Sequence, residues 1–367
     1  MGMIWLSSAA DRTSRPAHTP LIDNRVPPVL SPRGLTSGSL ILEVSMGPTF
    51  SARQPLLRYR HPRAGCHFAV WMDEYGAARV ELRSGAARFR LSVGAEQAAL
   101  PQQLRLTFSW QAPGGQGVNT ALLSVENLGR GTLHQAESDT ALPLPVPVVD
   151  ALLAENTIHH IAPVVSLVAL SDQIEPVGFI PSIAAGAPVE TVNGPVPIEQ
   201  LKPGDRVLTV DHGPQPLRWV CARTVPMMGL FRPLRLRAPY FGLSRDILVA
   251  PEQRILFEND AVEYLCGQDS MLAEVRDIEN NISVLQEPAT AAGIRLYQLL
   301  FDQHEIITVA GCRLESLFIG DIADHPGLRH STLLSVLPQE NIPRHTHLAR
   351  PLLRSYEARA VQMEMLH

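Results

Sequence analysis

Between Pro181 and Asp211 the chain reads PSIAAGAPVETVNGPVPIEQLKPGDRVLTVD, and the turn residues of that stretch leave few folds open. Val189 to Val192 is spaced as a short strand. Asn193-Gly194 follows, a dipeptide that tolerates positive φ and is a strong hairpin signal. PIEQL forms one turn, ended at Lys202-Pro203-Gly204-Asp205, where proline stops a helix and glycine provides the reversal. RVLTV then alternates as a half-buried strand.

The run V-E-T-x-x-G-x-x-P-I-E-x-L-x-P-G-D-R-V-L-T resembles the opening of a Hint module, the fold shared by Hedgehog autoprocessing domains and inteins, and in particular that of the bacterial Hedgehog/intein-type (Hint) domain-containing proteins. The resemblance implies an all-β fold and a self-cleaving reaction begun by an acyl shift. The family opens on a cysteine; counted back without gaps from Gly194, that position here is Ser182. A hydroxyl can perform the same shift, but less readily than a thiol, because it needs a base beside it to become nucleophilic.

The reaction also needs a proton relay to the departing nitrogen and donors on the oxyanion. In the family a T-x-x-H motif on a central strand provides threonine and histidine. That motif aligns with Ala250-Pro251-Glu252-Gln253, so the threonine has become Ala250 and the histidine Gln253. Neither replacement gives or takes a proton near neutral pH. FDQHEII retains Asp302 and His304, where the family pattern also places an Asp and a His. His304 is read first as a structural imidazole and second as a replacement base for Ser182. Inteins finish on His-Asn, whereas here the chain continues Cys312-Arg313-Leu314-Glu315-Ser316, so splicing is not expected.

The rest of the chain divides around this stretch. Residues 1–37 show little periodicity and read as a disordered leader. Over 38–140, LILEVSM, HFAVWMD, ARVELRS, ARFRLSV, LRLTFSW and ALLSVEN alternate at short intervals, the pattern of an antiparallel β-sandwich. LRLTFSWQAP and ALLSVEN are also similar to part of a concanavalin-type or laminin-G-like sheet, a resemblance that implies carbohydrate binding. Trp71, Trp110 and Tyr75 are read as core and edge aromatics in preference to a sugar-stacking platform. Residues 141–180 read as a stiff linker with one short helix, VVDALLAEN, leading into the Hint opening and packing against it. The Hint-like part covers 181–320, and 321–367 is a tail of two short helices, or a helix and an extended arm.

Composition sets limits. With 367 residues, 45% hydrophobic and 18% charged, the chain is long enough for two domains. Thirty-one prolines against 25 glycines favour short strands and turns. A net charge of -5 leaves no overall basic footprint, so nucleic acid is not an expected partner. Cys66, Cys221, Cys266 and Cys312 stand singly and read as free thiols. His159-His160 and His345-Thr346-His347 lack the ligand spacing of a metal site, and the second pair is read as solvated. GLSRD at Ser244 lacks the second glycine of a nucleophile elbow, HEIIT lacks the second histidine of a zinc protease, and there is no phosphate loop. No metal, cofactor or membrane span is expected, and no export signal is seen; the cytoplasm is the default compartment, with another export route left open.

These readings favour a Hint-domain protein with degenerate or absent autoprocessing, acting as a binding or structural module and not as an enzyme beyond residual self-cleavage. One alternative is active cleavage by N–O acyl shift at Pro181–Ser182, with Ser182, His304 and Asp302 as the catalytic group. Another is carbohydrate binding by the N-terminal sandwich. The partner, carbohydrate or protein, is left open.

Overall fold

Alternation in the sequence becomes alternation in burial. Along Ala87–Val93, Phe89, Leu91 and Val93 are buried while Arg88, Arg90 and Ser92 face solvent. The computed structural model describes residues 3–8, 34–47, 50, 52–61, 65–94, 102–113, 119–153 and 160–365. It is mostly β, with four antiparallel sheets, and divides into two compact units, Met1–Gly178 and Phe179–His367.

The first unit is a sandwich of two sheets around one core. Its six-stranded sheet runs in the order Met3–Ser8, Val165–Ser171, Ser37–Met46, Gln102–Gln111, Thr120–Asn127, Thr132–Ser138. Its five-stranded sheet runs His160–Ile161, Gln54–His61, Cys66–Met72, Ala78–Ser84, Ala87–Val93. Leu42, Leu57, Phe68, Val80 and Phe108 share the core between them. Trp110 is fully buried, stacks on Phe108 at 5.4 Å and donates its indole N–H to the Leu35 carbonyl at 2.9 Å. It is a core residue and cannot meet a ligand. Tyr75 is exposed at the turn that Asp73 closes by accepting from the Tyr75 and Ala77 amides.

Two segments differ from the sequence expectation. In the stretch read as a leader, Met3–Ser8 is a strand paired with Val165–Ser171; residues 9–33 lie outside the described residues. Of the stretch read as a stiff linker, the described residues 141–153 and 160–171 include parts of the sandwich. Leu144 exchanges backbone hydrogen bonds with Leu35, both 2.9 Å, and the helix Val146–Leu153 buries Val148, Val149 and Leu152 in the first core. Val165–Ser171 lies between two strands of the first sheet, Met3–Ser8 and Ser37–Met46. An apolar, β-branched run announces a buried strand but does not say which sheet takes it.

The second unit has two sheets. One runs Trp219–Met227, Thr290–Leu300, Ile183–Ala184, Ile247–Val249, Leu234–Leu236, Val284–Gln286. The other runs Gly194–Pro197, Pro188–Thr191, Arg206–Thr209, Ile306–Val309, Cys312–Glu315, Arg254–Phe257, Met271–Glu274, with Gly213–Pro216 paired to Arg206–Thr209. The expected hairpin forms one residue early. Thr191 pairs with Gly194, so Val192-Asn193 make the turn, and Gly194 alone takes the positive φ, +93°. PIEQL supplies a 3₁₀ turn at Ile198–Gln200, and Asp205 accepts from the Lys202 amide at 2.8 Å to close the reversal. In the tail, the helix Ser355–Met365 contributes Ala358 and Val361 to the second core. No helix among the described residues is long and apolar enough to cross a membrane.

His345 is not a solvated imidazole. It is buried, donates from Nε2 to the Phe301 carbonyl at 3.1 Å and accepts at Nδ1 from the Ile319 amide at 3.3 Å. His347 is exposed and pairs with the Thr346 hydroxyl at 2.9 Å, so the two rings diverge. Burial, with a smaller push from His304, holds the His345 pKa below its usual 6.5.

Two measurements follow from this packing. Glu43 and Arg105 face each other across the register and pair at 3.0 Å, both buried. Glu43→Ala leaves a buried guanidinium short of its carboxylate and is expected to cost about 3–5 kcal/mol in urea denaturation, whereas Glu43→Leu with Arg105→Leu recovers most of it. For His345, the unfolded chain takes up the proton as pH falls through about 6.5 while the folded chain resists. The His345 contribution to stability is therefore complete above that pH and declines below it, and His345→Gln should flatten the fall of the urea midpoint between pH 7.5 and 5.5.

Candidate functional site

Ser182 is the position expected from the sequence to react, and the backbone fixes it from both sides. Its N–H donates to the Tyr297 carbonyl at 3.1 Å, and its carbonyl accepts from the Ala250 amide at 2.7 Å. The next residue, Ile183, pairs with both Val249 and Tyr297. Ser182 is buried, 4% exposed, so its hydroxyl must find its partners inside the protein.

Those partners are two amides. The Ser182 hydroxyl donates to Gln253 Oε1 through a short hydrogen bond and accepts from Gln298 Nε2 at 2.9 Å. Gln298 Nε2 also reaches Gln253 Oε1 at 3.2 Å, closing a three-membered ring of contacts. Gln253 sits at the end of the turn Ala250-Pro251-Glu252-Gln253, whose first carbonyl accepts from its amide at 3.0 Å. Its Nε2 donates to the Arg254 carbonyl at 2.8 Å and the Glu315 carbonyl at 3.2 Å. These two carbonyls accept only, so they fix which end of the amide is nitrogen. Oε1 must then face Ser182, and the serine proton must point at it.

Both hydrogen bonds of the Ser182 hydroxyl go to side-chain amides. Its proton lies on an amide oxygen, which is no base near neutral pH, and a lone pair is occupied by an amide N–H. Gln253, which stands where the resemblance places a histidine, is hydrogen-bonded to Ser182, and Ala250 touches Ser182 through its main chain. Sequence reasoning missed Gln298. The signal was legible as a lone amide in the apolar run of RLYQLLF.

His304 is occupied elsewhere. The ring is buried against Phe318, and Nδ1 accepts from the Ala349 amide at 2.9 Å, so the ring proton resides on Nε2. Nε2 lies 3.2 Å from Glu315 Oε2 but off the hydrogen-bond line. None of the Ser182 hydrogen bonds goes to His304. Glu315 Oε2 is also 3.2 Å from Arg254, which approaches Glu274 at 3.6 Å. Burial raises the Glu274 carboxyl above its ordinary range, with Arg276 and Arg254 pulling the other way. Asp302 faces solvent in a two-point ion pair with Arg218, at 2.6 and 2.9 Å. The three candidate residues Ser182, His304 and Asp302 thus have three separate sets of partners.

The cysteines give no nucleophile. All four are free, and burial pushes the Cys221 and Cys312 thiols up to about 12. Among the described residues, no cluster of His, Cys, Asp and Glu could hold a metal ion.

None of the curated proteins matches the chain in sequence. Among solved structures, the CBM40 of the Ruminococcus gnavus IT-sialidase, bound to alpha2,6 sialyllactose, aligns over 38% of this chain and 76% of its own, at 13% identity and a TM-score of 0.25. A bacterial intein-like domain from Clostridium thermocellum aligns over 38% of this chain and all of its own, at 13% identity and a TM-score of 0.27. Domains LG4-5 of the mouse laminin alpha1 chain align over 82% of this chain and 83% of their own, at 11% identity and a TM-score of 0.21. Residues 181–321 match the family model described as Hint domain, and the chain is a Hint domain-containing protein.

Proposed function

We propose that the Hint domain of this protein has lost autoprocessing and serves as a binding or structural module. One observation carries the reading: the Ser182 hydroxyl is locked between Gln253 and Gln298, neither able to take its proton. A missing acid–base group alone lowers such a rate by about 10²–10⁴. Serine in place of cysteine weakens the same step further. Self-cleavage at Pro181–Ser182 with His304 as base has less support, because Nδ1 of His304 accepts from the Ala349 amide and neither Ser182 hydroxyl hydrogen bond goes to His304. Asp302, the third residue of that group, is paired to Arg218 at the surface.

In this reading the triad is structural. Gln253 joins three segments: the opening at Ser182, the Thr290–Leu300 strand through Gln298, and the Cys312–Glu315 strand through the Glu315 carbonyl.

The purified chain is expected to stay at its full mass of 40.2 kDa through days of incubation, with or without hydroxylamine, by intact mass spectrometry. Two fragments meeting at Pro181–Ser182 that vanish in Ser182→Ala would overturn the reading. Ser182→Ala should cost only about 1 kcal/mol, since Gln253 and Gln298 still bond each other. Gln253→Leu removes the donor to two carbonyls and should cost about 2–3 kcal/mol, read as a lower urea midpoint.

A further inference from the structure

The net charge of -5 conceals a local concentration of arginine. Strand register in the five-stranded sheet of the first unit aligns its outward side chains into rows. One row is Arg60, His67, Arg83 and Arg88. The next is His160, Arg58, Ala69, Glu81 and Arg90. A third sets Trp71 beside Arg79 and Ser92. Arg58, Arg60, Arg83, Arg88 and Arg90 are exposed. Arg53 lies over the Trp71 ring at 5.2 Å.

Folding does not require this arrangement. Like charges directly opposite in neighbouring strands destabilise a sheet, and Arg83 faces Arg88. Glu81 is the single carboxylate in the rows, and Arg90, Arg79 and Arg53 already converge on it at 3.5, 3.8 and 3.9 Å. Burial, aided by Arg60, Arg58 and Arg83, lowers the pKa of His67 in the same row. The face is strongly cationic, and the rest of the chain is correspondingly acidic.

We propose that this sheet face binds an acidic polysaccharide through its carboxylate or sulfate groups. The guanidinium fork matches such planar or tetrahedral anions with two parallel hydrogen bonds. Strands about 4.8 Å apart with side chains repeating every second residue present a flat lattice to an extended polymer. Glu81, half-buried at the centre, has carboxylate lone pairs for hydroxyls, and Ser92, which accepts from Arg79 Nε at 2.9 Å, keeps a hydroxyl proton to donate; a sugar ring carries such hydroxyls and a DNA phosphodiester backbone lacks them. Trp71 is the one indole on the face and Arg53 covers it, so there is no aromatic platform for stacking successive bases. The four strands from Gln54 to Val93 expose no large hydrophobic side chain to anchor in a bilayer. This inference is independent of the state of Ser182.

The test uses the full chain with labelled heparin and polygalacturonate as sulfated and carboxylated probes. Neutral dextran, oligothymidine of matched charge and phosphatidylserine vesicles serve as competitors. At least one acidic glycan should bind, with affinity falling steeply with salt, and dextran should not compete. Arg83→Ser/Arg88→Ser/Arg90→Ser should weaken binding about tenfold or more while keeping the thermal midpoint. Arg58→Ser/Arg60→Ser reads the same face from another strand if the triple variant fails to fold. Failure of both glycans to bind overturns the proposal, as does undiminished binding by the folded variants. Tighter binding of oligothymidine or vesicles than of either glycan also overturns it.

Discussion

The direction in which the Gln253 amide points governs the chemistry of the Hint domain. With the carbonyls of Arg254 and Glu315 on one side, only the amide nitrogen fits there; the reverse setting would place three oxygens together in a buried site. Everything else follows from that orientation. Oε1 faces the serine, the serine proton turns to it, and Gln298 fills the remaining lone pair. An imidazole at position 253 could donate one N–H toward the same carbonyls and offer its other nitrogen to Ser182 as a base. Glutamine keeps the hydrogen bonds of that arrangement and offers no base near neutral pH.

Glu315 ties the two polar centres of the domain together. Its main-chain oxygen holds Gln253, and its carboxylate lies between Arg254 and His304. The strand that fixes the Gln253 amide therefore also engages His304, and the Ala349 amide occupies the other nitrogen of that ring. Turning His304 toward Ser182 would leave the Ala349 amide without its acceptor, a cost of about 1–3 kcal/mol, while Glu315 would keep Arg254. The imidazole is retained as a joint between the Cys312–Glu315 strand and the chain near Ala349.

Much of this was legible in the residues, and the failures have physical reasons. Alternation located the strands of both units, because burial on one face is written locally at period two. Motif spacing singled out Ser182 and Gln253 separately, but their hydrogen bond is set by the fold. What is set by distant pairing was not legible. VVSLVALS announces a buried strand, yet its place beside Ser37–Met46 depends on partners more than a hundred residues away. Gln298 looked like one polar residue in an apolar run until the fold brought Gln253 to it. Asp302 and His304 are neighbours in sequence, yet one ends at the surface and the other in the interior. His345 looked solvated because two flanking polar residues cannot report that Phe301 and Ile319 close over the ring.

The cationic face was hidden for a different reason. Net charge averages over the chain, whereas strand register sorts charge by parity. In ARVELRS and ARFRLSV the same alternation that buries Val80, Leu82, Phe89 and Leu91 sends every arginine to the other side. A one-residue slip would exchange the two sets and put guanidinium groups into the core, so the hydrophobic pattern enforces the charged array as strictly as it enforces the fold. The arginines hold their rows without paying for them through mutual ion pairs, because buried side chains on the opposite face fix the register. Repulsion between Arg83 and Arg88 is thereby tolerated, and arginines outnumber carboxylates in the described rows of the face.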